Sequence, residues 1–209
     1  MAKAHFLLML GLTAWPVSPL HAQQIAPPPP GMVQPLKRAI VTLTPPDAPP
    51  LHVTTPGWPD GGDIPFANTQ YDGNVVPGLN WTRGPARTRA YAIIMQDTDA
   101  VRNGVRKHAL HWTMVNIPAT MTSLPAAMAP DAKPAGSRYG PNYKGLSQPY
   151  LGPRTPEGPK HHYHIQVFAL DHRIAATGLT DYDTLLDRMK GHVLASGEVI
   201  GLGRAPDAR

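Results

Sequence analysis

Cysteine is absent from the 209 residues, which excludes disulfides, thiol nucleophiles and thiolate metal sites in either an oxidising or a reducing compartment. Beyond residue 22 no apolar run is long enough to cross a bilayer, so no stable membrane span is expected. No internal repeat is present. Nucleic-acid motifs are missing as well: the net charge is +5, but Lys37, Arg38, Arg83, Arg87, Arg89, Arg102, Arg106 and Lys107 are scattered. They read as a solvated basic surface, with no nucleic-acid partner. Ser137, Ser147 and Ser196 lie in no G-x-S-x-G context, and neither H-E-x-x-H nor H-x-x-x-H occurs. The expectation is therefore no metal, no cofactor and no catalytic residue.

Proline and glycine, in contrast, are abundant, at 26 and 19 residues. With 42% hydrophobic and 16% charged residues, the chain fits one globular domain rich in turns, mostly β rather than a helical bundle. Lys3 and His5 precede an apolar run, Phe6 to Trp15, then Pro16, Pro19 and Leu20-His21-Ala22. This pattern reads as a signal peptide over residues 1–22 and an exported protein, periplasmic or secreted. Residues 23–50, with four prolines at Pro27 to Pro30, read as an extended proline-rich tether, although Ile40, Val41 and Leu43 could form an edge strand. A folded domain over 51–204 and a tail over 205–209 complete the organisation.

Within the domain, Leu51 to Thr54 is a short strand, and Ala90 to Met95 is an apolar run suited to a central strand covered on both faces. The latter ends in Gln96-Asp97-Thr98-Asp99. Residues 108–118 form a second long strand. Alternation puts His111, Thr113 and Val115 on one face, and Leu110, Trp112 and Met114 on the other. Thr120 to Gln148 reads as a long functional loop, a candidate dimer surface together with Trp58. Thr180 can cap a helix over Tyr182 to Leu194, and Gly197 to Leu202 closes the fold as a strand.

Tyr150 to Leu170 concentrates the chemistry. Gly152 and Gly158 permit close backbone approach, while Pro153, Pro156 and Pro159 stiffen the loop. His161 and Tyr163 then project from one face of a strand, with His162 and His164 on the other. Asp97 and Asp99 at one strand end meet His111, His161 and Tyr163, whose imidazolium and phenol groups are donors suited to phosphate or another small oxyanion. A carboxylate among them must be protonated or paired, and Asp97 is expected to orient or charge His111. Each residue also has a plainer reading, as a turn former or a histidine satisfied within the core.

The order of several segments resembles the phosphatidylethanolamine-binding protein family, in its bacterial Raf-kinase-inhibitor-like branch, over about residues 51–204. The segments are Leu51 to Pro56 with Asp60 to Pro65, Asp72 to Trp81, Gln96 to Ala100, His111-Trp112 with Asn116 to Pro118, Tyr150-Leu151-Gly152-Pro153 through His161-His162-Tyr163, and Gly191 to Ala195 with Gly201. The resemblance implies a large central β-sheet with a smaller sheet and peripheral helices. It also implies a small anion pocket lined by Asp97, Asp99, His111, His161 and Tyr163, with Gly152 and Pro153 at its rim. A non-enzymatic binding protein for phosphate or a phosphoethanolamine-like head group follows. The alternatives are a protein-interaction inhibitor of a kinase or hydrolase, with a protein partner, and a weak hydrolase using Asp97 and His111. Thr98, Val101 and Thr155 stand where the family has prolines, and His162 where it has arginine; the lost prolines imply less preorganised pocket loops.

Overall fold

The computed structural model describes residues 37–102, 105–106 and 109–207, with backbone only at 102, 105 and 106. The expected signal peptide and the Pro27 to Pro30 tract lie outside the described residues. Eleven strands follow in chain order: β1 Val53–Thr54, β2 Gly62–Asp63, β3 Leu79–Trp81, β4 Ala90–Asp97, β5 Val101–Arg102, β6 Val105–Arg106, β7 Ala109–Pro118, β8 Ser123–Leu124, β9 Arg138–Tyr139, β10 His161–Leu170 and β11 Val193–Gly203. Two α-helices accompany them, α1 Ala39–Leu43 and α2 Tyr182–Met189. A six-stranded sheet has the order β2-β11-β10-β4-β7-β9, and a smaller one has the order β1-β3-β8. The pairs of the six-stranded sheet are antiparallel except β2 with β11.

Strand β4 is buried along its whole length because both faces of the large sheet are covered. Tyr91, Ile93 and Met95 join Ile165 and Val167 of β10 in a core shared with Val53, Leu79 and Trp81 of the small sheet. The alternate residues Ala92 and Ile94 join Phe168 and Leu170 in a second core with Ala39 and Leu43 of α1 and Leu185 and Met189 of α2. Period two thus divides one continuous apolar strand between two cores.

Residues 39–43 are helical, and the described part of the expected tether is docked rather than free. No side chain of the helix's own N-terminus caps it. Two buried glutamines from the sheet do so: Gln96 Oε1 accepts from Ala39 N–H at 2.8 Å and Gln166 Oε1 from Ile40 N–H at 2.7 Å. They satisfy donors that every helix start leaves unmade. Gln166 Nε2 in turn donates to Gln96 Oε1 at 2.9 Å. Outside this seat, Glu198 pairs with Arg38 and, at 3.1 Å, with His164.

Other boundaries differ from the sequence expectation. Helix α2 is capped by Asp181, whose carboxylate accepts from Thr184 N–H at 2.8 Å. It stops at Met189, because Gly191 takes a φ of 78° and turns the chain into β11. The 120–148 segment is no simple loop, since β8 and β9 lie within it and extend both sheets. Trp58 is buried, its indole donating to the Ile200 carbonyl at 3.1 Å, so it offers no dimer surface.

Candidate functional site

The large sheet ends in a cavity of about 330 Å³. Asp97 closes β4 and pairs in the ladder with Tyr163 of β10 on one side and Ala109 of β7 on the other. His161, two residues before Tyr163, shares its face. Asp97, His161, Tyr163 and His111 form the floor and walls, with Tyr143, Arg154 and Pro156 at the mouth.

Asp97 is almost fully buried, yet neither oxygen is left bare. Oδ1 accepts from Asp99 N–H at 2.8 Å, and Oδ2 lies 2.8 Å from His161 Nδ1. Its histidine partner is therefore His161, not His111 as expected. The ring nitrogen facing a carboxylate carries the proton. His161 is thus fixed with Nδ1–H on Asp97 and has Nε2 as its second polar atom.

His111 has a different environment. Its Nδ1 lies 2.8 Å from the carbonyl oxygen of Leu151 and 3.1 Å from that of Gly152. Two carbonyl acceptors require Nδ1 to be the donor, which leaves Nε2 an acceptor in the neutral ring. Burial pushes this histidine below its ordinary value, outweighing the Leu151 carbonyl and the Asp97 charge, and favours the neutral form. Its ring meets those of Tyr143 and Tyr163 edge-on, each with centroids 5.1 Å apart. The weak-hydrolase geometry, with Asp97 polarising His111 as a base, is not the one observed.

A β-bulge brings His111 into the wall. The β4–β7 ladder pairs Met95 with Trp112 and Gln96 with Leu110, skipping His111. Consecutive residues His111 and Trp112 consequently turn to the same side, where Trp112 fills the core beneath and packs edge-on against Tyr150. Simple alternation had separated them.

Gly152 and Pro153 support the wall rather than line it. The Gly152 N–H donates to Asn74 Oδ1 at 2.7 Å, and its carbonyl accepts from Gln70 Nε2 at 2.6 Å as well as from His111. A Cβ at this position would collide with the Asn68 carbonyl oxygen, so the close approach that glycine permits is to the protein's own backbone. Pro153 offers its carbonyl to Gln70 N–H at 2.9 Å. Asp99 also stands outside the cavity lining, binding the N–H and Nδ1 of His162 at 2.8 and 2.7 Å. Burial raises the Asp99 carboxyl, but the His162 bonds outweigh it and hold the group below the usual carboxylate range.

At two positions where the resemblance places prolines, threonines make hydrogen bonds. Thr98 N–H, a donor proline lacks, binds the His162 carbonyl at 3.2 Å and continues the ladder past Asp97. Buried Thr155 places Oγ1 3.0 Å from Tyr163 Oη, while its carbonyl accepts from Tyr71 Oη. Burial, reinforced by the Asp97 charge, pushes the Tyr163 phenol well above its ordinary value, so it stays protonated. Sequence reasoning missed Arg154 and Tyr143. Arg154 sits inside the Gly152 to Pro156 segment already singled out, and a cation there was a usable signal. Tyr143 had only its place in the 120–148 segment, read as a functional loop in which no single residue stood out.

The phosphatidylethanolamine-binding protein family model matches residues 54–204, and the chain belongs to that family. A UPF0098 protein of Methanothermobacter thermautotrophicus is 34% identical over 156 residues, covering 74% of this chain and 99% of the relative. LppC of Mycobacterium tuberculosis, whose name calls it a lipoprotein, is 34% identical over 130 residues, covering 62% of this chain and 60% of LppC. The crystal structure of Escherichia coli YbcL, described as a new member of the mammalian family, superposes with a TM-score of 0.66 at 26% identity, covering 75% of this chain and 99% of YbcL.

Proposed function

We propose that this chain is an exported binding protein whose cavity takes the oxyanion of a small phosphate-bearing ligand, free or as a phospholipid-type head group. The observation that carries the reading is the Asp97–His161 pair beside Arg154 in one cavity. A bare buried carboxylate would repel an anion. Here both Asp97 oxygens are engaged, so the carboxylate orients His161 instead of opposing the ligand. The Arg154 guanidinium supplies a forked donor, and His161, when protonated, supplies Nε2–H. His111 Nε2 adds an acceptor for a ligand N–H or O–H, such as the ammonium of a phosphoethanolamine head group or the hydroxyl of protonated phosphate. Export is supported by the apolar run of Phe6 to Trp15 and by the likeness to LppC.

The test is calorimetric titration of wild type, Arg154→Gln and His161→Gln with inorganic phosphate and with phosphoethanolamine. Saturable binding by the wild type, weakened about tenfold in each variant (~1.4 kcal/mol), is expected. No wild-type binding at millimolar ligand, or equal affinity in all three proteins, would overturn the reading. Tighter binding of phosphoethanolamine than of phosphate would identify the head group as the better match.

A further inference from the structure

Strand β10 ends, roughly 30 Å from the cavity along its length, in a second group of chemistry-bearing side chains. Asp171 and His172 follow directly on Leu170, and His192 directly precedes β11. The turn is held by Asp171 N–H donating to the His192 carbonyl at 3.1 Å. Each of the three residues brings one ligand-capable atom within 4.8 Å of the others. Asp171 Oδ1 lies 2.8 Å from His192 Nδ1 and 3.6 Å from His172 Nδ1, and the two imidazole centroids are 4.0 Å apart.

An ordinary Asp–His pair accounts for Asp171 and His192. It leaves His172 Nδ1 underserved: the atom is buried and makes no hydrogen bond of normal length among the described residues, with Asp171 Oδ1 standing 3.6 Å away, which is costly for a polar atom. In its Nε2–H tautomer the neutral ring leaves Nδ1 a lone pair to give. A ligand that accepts that lone pair together with those of Asp171 and His192 would satisfy all three at once.

We propose that Asp171, His172 and His192 form a binding site for a divalent first-row transition ion of the zinc type. Two imidazole nitrogens and one carboxylate oxygen suit such an ion, whereas calcium and magnesium favour all-oxygen sets. Tetrahedral ligands at about 2.0–2.1 Å from zinc stand roughly 3.3 Å apart; the two separations from Asp171, 2.8 and 3.6 Å, bracket that spacing, and all three ligand atoms lie within 4.8 Å of one another. The proton between Asp171 Oδ1 and His192 Nδ1 gives way to the ion and moves to Nε2 or to solvent. With side-chain exposures of 30–46%, the fourth position is open to water. Because Asp171 and His192 flank the β10–β11 ladder, the bound ion clamps the two strands at the end remote from the cavity.

The experiment is zinc titration of tag-free protein at neutral pH in phosphate-free buffer, by calorimetry and by thermal melting. It compares wild type with Asp171→Asn, His172→Ala, His192→Ala and His192→Gln, and with His162→Ala as a control in the other histidine-rich region. One zinc per chain is expected, at least about tenfold weaker in each variant of the triad and unchanged in His162→Ala. Zinc should raise the melting temperature of wild type and not of the triad variants. His192→Gln at a half-exposed position keeps the test open if His172→Ala does not fold. Absence of stoichiometric zinc, or retention of full affinity by the folded triad variants, would overturn the proposal.

Discussion

The two walls of the cavity use the same residue type in opposite ways. On one wall, His161 is tied to a buried carboxylate, with Arg154 nearby. On the other, His111 is tied to two backbone carbonyls and kept neutral by burial. The neighbour of Nδ1 differs: with Nδ1–H on both rings, Nε2 accepts on neutral His111 and donates on His161 only when that ring is charged. A histidine's presence at a strand end therefore says little about its role until its partner is known.

The largest effect on this contrast should come from Gly152→Ala. The added methyl must displace the Asn68 carbonyl, and the segment whose carbonyls hold His111 must move with it. Denaturant unfolding should show a loss of about 1–3 kcal/mol; a loss below the error of the measurement would mean that the segment yields freely. Next in size is the tenfold loss of phosphate affinity expected for Arg154→Gln, with stability within about 0.5 kcal/mol of wild type because the side chain is exposed. Such a result would separate the binding wall from the structural one. The smallest effect is in pH. The His111 pKa is depressed in the folded protein from an ordinary value of 6.5, so its contribution to stability is present above that value. It fades as the pH falls toward the folded pKa, because the unfolded chain takes up the proton first. Unfolding titrations between neutral and mildly acidic pH should show a steeper fall for wild type than for His111→Gln. Parallel curves would mean that His111 is not held neutral.

The mostly-β architecture was legible because its evidence is local. Ala90 to Met95 announces a strand covered on both faces, and His161 to Leu170 one with two distinct faces. Those are properties of consecutive side chains. The seat of α1 was not legible, because its caps are Gln96 and Gln166, which only the folded sheet brings to Ala39 and Ile40. The neighbourhood of Asp97, His111, His161 and Tyr163 was anticipated, but their pairing was not. One skipped residue in the β4–β7 ladder changes which way His111 points, and alternation contains no signal for a bulge. Asp171 and His192 escaped notice for a related reason: twenty intervening residues, including α2, return the chain to the same turn.

The most direct test of the unlike walls is nuclear magnetic resonance of the histidine ring nitrogens in wild-type protein during a phosphate titration at neutral pH, with His111→Gln and His161→Gln for assignment. His111 should remain the neutral Nδ1–H tautomer throughout, while the His161 nitrogens shift with phosphate occupancy. A charged His111 ring, or phosphate shifts at His111 with none at His161, would contradict the division of roles between the two walls.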